Sequence, residues 1–159
     1  MGEIKITPRA KEAYDTVCRY FDNRKWTYEK KEEDLLASVL LKGDDIPVNV
    51  IFNVFAEREI LCVSSPLAME IKKDKVGEFT FVLAVLSNAI YNGWYAYDVE
   101  HGSITFRAAA PFMGSSVSED MVNYMLNIAY STVNAHNDLL LALNNGMITV
   151  EQFFEALQQ

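Results

Sequence analysis

The sequence predicts an α+β fold: a curved antiparallel sheet of about six strands packed with helices, in the order α-β-β-β-β-α-β-β-α-α. Three observations carry this. Apolar residues recur at helical spacing near both ends of the chain, they alternate between Trp26 and Ser65, and a dense apolar helix starting at Glu78 runs directly into an alternating hairpin ending at Pro111. With 159 residues, half of them apolar and 23% charged, the chain is long enough to bury a core without staples, and one domain over 1–159 is expected.

Thr7 followed by Pro8 forms an N-cap with proline at the first helical position, where its missing N–H does no harm. The first helix follows, with Ala10, Tyr14, Val17, Cys18 and Phe21 on one stripe and an end near Asn23 to Lys25. Four short strands are then expected in WTYEK, LLASVLLK, PVNVIFNVF and EILCVSS, joined by polar loops whose length suits hairpins. Strand alternation groups Val39, Val48, Val50, Phe52, Val54, Leu61 and Val63 on one face. The other face, with Leu40, Ile51, Phe55, Ile60 and Cys62 among Ser38, Asn49 and Asn53, is too apolar to be plainly solvated. Ser65-Pro66 is expected to break the fourth strand, and the KKDK run over Lys72 to Lys75 to form an exposed connection.

In the central helix Phe79, Val82, Leu83, Leu86 and Ile90 form the main stripe, Phe81 and Val85 widen it, and Thr80, Ala84, Ser87, Asn88 and Tyr91 make a small or polar strip. Such a helix is expected to be covered on both sides. Asn92-Gly93 supplies a left-handed cap, and the hairpin WYAYDV and SITFRAAA turns at EHGS. Parity places Tyr95, Tyr97, Val99, Ile104 and Phe106 toward the helix and Trp94, Ala96, Asp98, Thr105 and Arg107 on the other side. Ser116 with Glu119 three residues on predicts a capping box for the longest helix, running to about Leu143. Its polar stripe is Asp120, Asn123, Asn127, Ser131, Asn134 and Asp138; Met121, Met125, Ile128, Val133 and Leu140 take the buried side. A second box, Thr149 with Gln152, opens a closing helix that ends at Leu157, with Ile148 stapled to Phe153.

Little chemistry is visible. The net charge of −8, from 22 acids and 14 bases, argues against nucleic acid as a partner. No phosphate-binding glycine motif occurs, and His101 and His136 have no His or Cys at metal-ligand spacing, so no cofactor is expected. Cys18 and Cys62 are expected to be buried thiols in a reducing compartment. The start MGEIKITPRA has no apolar signal region and no run is long enough to span a bilayer; a cytoplasmic protein without a membrane partner is expected. Acid pairs such as Asp44-Asp45 lie in turns. Glu78, at the entrance to the central helix, stands where a hot-dog acyl hydrolase could keep an acid, although a helix N-terminus favours a carboxylate in any case.

The stretch SNAIYNGWYAYDVEHGSITFRAAAP resembles the YbjN-like family, described as bacterial sensory transduction regulators. Asn88, Gly93, Asp98, Gly102, Arg107 and Pro111 stand at matching places. The resemblance extends in outline over residues 8 to 157 and includes the closing GMITVEQFFEAL. It implies a fold similar to type III secretion chaperones, a binding role and a homodimer. No catalytic residue follows from it, because the matched positions belong to turns and caps. The leading expectation is a non-enzymatic interaction module, chaperone-like or regulatory, that binds a protein partner or a second protomer through an exposed sheet face and helix, with Trp94, Arg107, Asp98, Thr80, Ser87 and Tyr91 as the surface residues. The alternative is a small-molecule binder, or a hot-dog acyl hydrolase using Glu78.

Overall fold

The computed structural model describes residues 5–159. The expectation of no signal peptide rests partly on residues 1–4, which lie outside the described residues. Helix α1 (Pro8–Asn23) starts as expected, with the Thr7 side chain accepting the Ala10 N–H at 3.2 Å. Its end is closed by Lys25, which takes a left-handed backbone (φ 55°) while the Trp26 N–H reaches the Phe21 carbonyl at 3.2 Å. The Trp26 and Phe21 rings then pack together, the hydrophobic contact that accompanies this kind of helix end.

That closure shortens the first strand. Trp26 is held against Tyr20 and Phe21, and the Tyr28 hydroxyl donates to Asp22 at 3.0 Å, so the WTYEK strand is reduced to β1 (Glu29–Lys31). Strands β2 (Leu36–Leu41), β3 (Val48–Phe55) and β4 (Ile60–Glu70) follow as an antiparallel meander. Alternation holds: Val39, Val48, Val50, Phe52, Val54, Leu61 and Val63 are buried, while Leu40 and Phe55 are exposed on the opposite face.

Strand β4 does not stop at Ser65-Pro66 but continues to Glu70. Its pairing with β3 ends at Ser64, so Pro66 stands where no β3 partner calls for an N–H, and it pairs instead opposite Thr105 on β6 (Ser103–Pro111). The sheet order is β1-β2-β3-β4-β6-β5, with β5 (Trp94–Asp98) at one edge. Val99 falls in the turn after β5 and is exposed, contrary to its parity assignment.

Helix α2 (Val76–Asn88) buries Phe79, Val82, Leu83 and Leu86. It ends at Asn88, earlier than expected, and Gly93 is no helix cap: its glycine is required because a Cβ there would collide with the Phe106 ring and lie 2.9 Å from the Arg107 carbonyl oxygen. Helix α3 (Glu119–Asn144) is capped by Ser118, which accepts the Met121 N–H at 3.1 Å, so the Ser116 box does not form. The box at Thr149 and Gln152 opens α4 (Val150–Ala156) as expected, one residue short of the predicted end.

Helices α1 and α3 cover the buried face of the sheet. Part of the α3 polar stripe is engaged. Tyr20 donates to Asn123 at 2.6 Å, and Asn134 both accepts the Asp44 N–H at 2.8 Å and donates to its carboxylate at 2.9 Å, pinning the β2–β3 loop. Buried Asn144 does the same for the connection into α2, accepting from Lys72 N–H and donating to the Glu70 carbonyl.

Candidate interaction surface

The apolar circumference of α2 is covered on one side only. Phe79, Val82, Leu83 and Leu86 face the fold, while Phe81 and Val85, expected in the core, are 58% and 41% exposed. The reason is position: α2 lies at the sheet edge beside β5 instead of between layers, and on its far side the Phe81 ring meets Phe154 edge-on. Burial of an apolar side chain contributes about 1.5–3 kcal/mol, and these two, exposed to 58% and 41%, forgo about half of it.

Ser87 joins α2 to β5. Its Oγ accepts the Tyr95 backbone N–H at 3.0 Å, on the side of β5 that has no strand neighbour. Thr80, Ala84, Ser87, Trp94 and Tyr97 line a shallow cleft of about 270 Å³ between the helix and the strand. Thr80 is exposed, with its hydroxyl donating to the Gly77 carbonyl at 3.0 Å. Trp94, 43% exposed, sits directly across from Arg107 in the β5–β6 register. Tyr91 is fully exposed just beyond α2.

Trp94 also borders a second groove, of about 450 Å³, with Tyr91 on the same wall, Ala108 to Ala110 as its floor and Met121, Tyr124 and Met125 from α3 opposite. The structure thus brings Trp94 together with Tyr91 and Arg107 on one flank and with Thr80 and Ser87 on the other. Asp98 lies apart, at the far end of β5, where it accepts from the Glu100 and His101 N–H groups and pairs with the His101 ring at 2.8 Å. The His101 hydrogen bond holds its carboxyl below the usual range. Phe81 and Val85 were assigned to the core from the sequence, and Tyr124 and the alanine floor were not assigned to a surface; the small residues Ala108 to Ala110 in place of the bulky ones of a packed strand were the available signal.

The groups capable of chemistry are occupied structurally. His136 Nδ1 lies 2.7 Å from the Tyr95 hydroxyl; burial pushes the imidazole pKa down and the phenol pKa up, so the pair is held neutral. Burial pushes the Cys62 thiol up, against the opposing pull of Arg107. Cys18 and Cys62 are both free. Glu78, in the first turn of α2, pairs with Lys75 at 3.1 Å. Among the described residues no cluster of His, Cys, Asp and Glu is suited to a metal ion, and no helix is long and apolar enough to cross a membrane.

Helices on one face of an open six-stranded antiparallel sheet, with one edge helix left half bare, define the α+β class to which the chain belongs. Among solved structures it is similar to YbjN from E. coli, with a TM-score of 0.55 and 10% identity over 76% of this chain and 84% of that one. It is similar to a chain of the ExsC–ExsE complex (TM-score 0.57, 13% identity, 82% and 95% covered) and to one of the HopA1–SchA chaperone–effector complex (0.59, 10%, 82% and 97%). By sequence it matches no protein-family profile and no curated protein. At these identities the likeness is one of fold, and it is the fold that the YbjN-like resemblance implied.

Proposed function

We propose that this chain is a non-enzymatic protein-interaction module, chaperone-like or regulatory, that seats a protein partner or a second copy of itself on the bare side of α2 and the adjoining end of β5. The observation that carries this reading is the outward exposure of Phe81 and Val85 on a helix whose other face is core, with Tyr91 and Trp94 exposed in the segment that follows it. Large apolar side chains are costly to leave in water, and aromatic residues dominate the energetics of protein contacts. Two of the structures with this fold come from protein–protein complexes, one of them a chaperone with its effector, which supports a binding role. Thr80 and Ala84 keep the helix surface low enough for close approach, while Arg107 offers a cation beside Trp94.

The test is association. Sedimentation velocity across a wide concentration range should show dimer formation, or a partner should be recovered from native lysate, and Phe81→Asp with Val85→Asp should abolish either one. A chain that stays monomeric at high concentration and recovers no partner, or one whose association ignores those substitutions, overturns the proposal.

A further inference from the structure

Two turns at one end of the sheet frame a cavity. The β1–β2 turn (Glu32–Asp34) and the β3–β4 turn (Ala56–Arg58) are each a single 3₁₀ turn, closed by a non-glycine residue in the left-handed region, Leu35 (φ 49°) and Glu59 (φ 50°). Both closing residues are held from outside their own turn. The Leu35 carbonyl accepts the Val54 N–H at 3.1 Å, and the Glu59 carbonyl accepts the Phe112 N–H at 2.8 Å. Between the turns lies a cavity of about 410 Å³ whose lining includes Asp34, Leu36, Asn53, Phe55, Glu57 and Arg58. Its volume falls in the range of small-molecule sites, about 300–1,000 Å³, and walls fixed in this way reduce the ordering cost of binding.

The floor is apolar and the rim is charged. Leu36 and Asn53 are cross-strand partners, and Phe55, half exposed, follows Asn53 on the same side of β3. The Asn53 amide donates to the Asp34 carbonyl at 3.3 Å, which fixes it and leaves its Oδ1 without a partner among the described residues. Beside the cavity, charges are paired: Glu59 with Arg9 at 3.1 Å and Glu32 with Lys11 at 3.0 Å. Among the described residues the side chains of Asp34, Glu57 and Arg58, which line it, have no ion pair and no hydrogen bond. Opposite charges thus stand around one small space without closing on each other. A simple anion would meet Asp34 and Glu57, and a simple cation would meet Arg58; a ligand carrying both charges and an apolar part complements the whole set.

We infer that this cavity binds a small zwitterion, an α-amino acid with an apolar side chain. Arg58 takes its carboxylate, Asp34 and Glu57 with the Asn53 Oδ1 take its ammonium group, and its side chain rests on Leu36 and Phe55. This goes beyond the interaction-module reading and does not rest on it, because the cavity lies on β2 and β3, toward the opposite edge of the sheet from β5 and α2.

The test titrates the full chain, labelled for amide NMR, with L-leucine, with leucinamide, which lacks the anion, and with N-acetyl-leucine, which lacks the cation. Leucine is expected to bind in the millimolar range and to shift the amides of residues 34–36 and 53–58. Each blocked form should bind about tenfold more weakly, because a hydrogen bond to a charged group is lost. Arg58→Met keeps the stem and removes the charge, so it should weaken leucine by about the same factor and leave leucinamide unaffected. Asp34→Asn with Glu57→Gln should weaken leucine and leave N-acetyl-leucine unaffected. All three residues are exposed, and circular dichroism checks that the fold persists. Leucine binding no tighter than its blocked forms, shifts that spread beyond these two turns, or variants that weaken all three ligands alike overturn the inference. So does the absence of any shift at the highest soluble leucine concentration. Association through α2, followed by sedimentation velocity, is expected to ignore these substitutions, so failure of leucine with association preserved removes this inference alone.

Discussion

The Ser87 hydroxyl accepts the backbone N–H of Tyr95 at 3.0 Å, and through that bond α2 closes the free edge of β5. An edge strand left open is a template for pairing with another chain, and natural proteins cover such edges. Ser87→Ala removes the acceptor and leaves a half-buried donor unsatisfied, at a cost of about 1 kcal/mol. The midpoint of urea unfolding should fall accordingly with an unchanged denaturant slope. Amide exchange at Tyr95 should accelerate more than at its neighbours in β6. An unchanged exchange rate would mean that α2 shields this edge by packing alone.

Gly93 supplies the second prediction. Its missing Cβ leaves room for the Phe106 ring and the Arg107 carbonyl, both belonging to the strand that β5 must join. Gly93→Ala forces these apart, and overpacking of this kind costs typically 1–3 kcal/mol. Chemical denaturation measures it. The same substitution at Gly77, where an added Cβ meets nothing within 4 Å on a helix, should instead be neutral or stabilising.

These two residues also show where the sequence was and was not legible. Local rules were enough wherever an element is decided by its own neighbours: Thr7-Pro8, the Thr149 and Gln152 box and the alternation of β2, β3 and β4 all follow from spacing. They failed where a distant strand decides. Asn92-Gly93 has the composition of a helix cap, yet Gly93 is fixed by contact with β6, and Pro66 remains in its strand because the pairing with β3 stops at Ser64. The candidate surface was half legible for the same reason. Trp94 and Arg107 follow from parity, but the exposure of Phe81 and Val85 depends on α2 lying at the sheet edge, which no local pattern records.

The Tyr95–His136 contact gives a pH dependence. Burial lowers the imidazole pKa below its ordinary value near 6.5, with Asp138 opposing, so the unfolded chain binds the proton more readily than the folded one. The contribution to stability is fully present above the unfolded pKa and is lost as pH falls below it, until the folded group titrates too. His136→Gln keeps a side chain able to bond the Tyr95 hydroxyl but cannot titrate. Between pH 7 and mildly acid pH the stability of the native sequence should therefore decline relative to the variant, with the carboxylates contributing equally to both. Parallel pH curves for the two proteins would show that the imidazole is not held neutral.

Cys62 tests the outer face of the sheet. It projects from β4 opposite Ala109, and burial raises its thiol pKa while the Arg107 guanidinium pulls the other way. Since the thiolate is the reactive species, iodoacetamide at mildly alkaline pH should alkylate Cys62 several-fold more slowly in the folded chain than in urea. Arg107→Ala takes away a charge that favours the thiolate, so the folded rate should fall further, although removing a long side chain from the neighbouring strand opens access. The two effects have opposite signs, which makes the comparison decisive. A slower reaction assigns Arg107 an electrostatic hold on the thiol, whereas a faster one means that Arg107 acts as a cover, and Arg107→Met, which restores bulk without charge, should then return the rate to that of the native sequence.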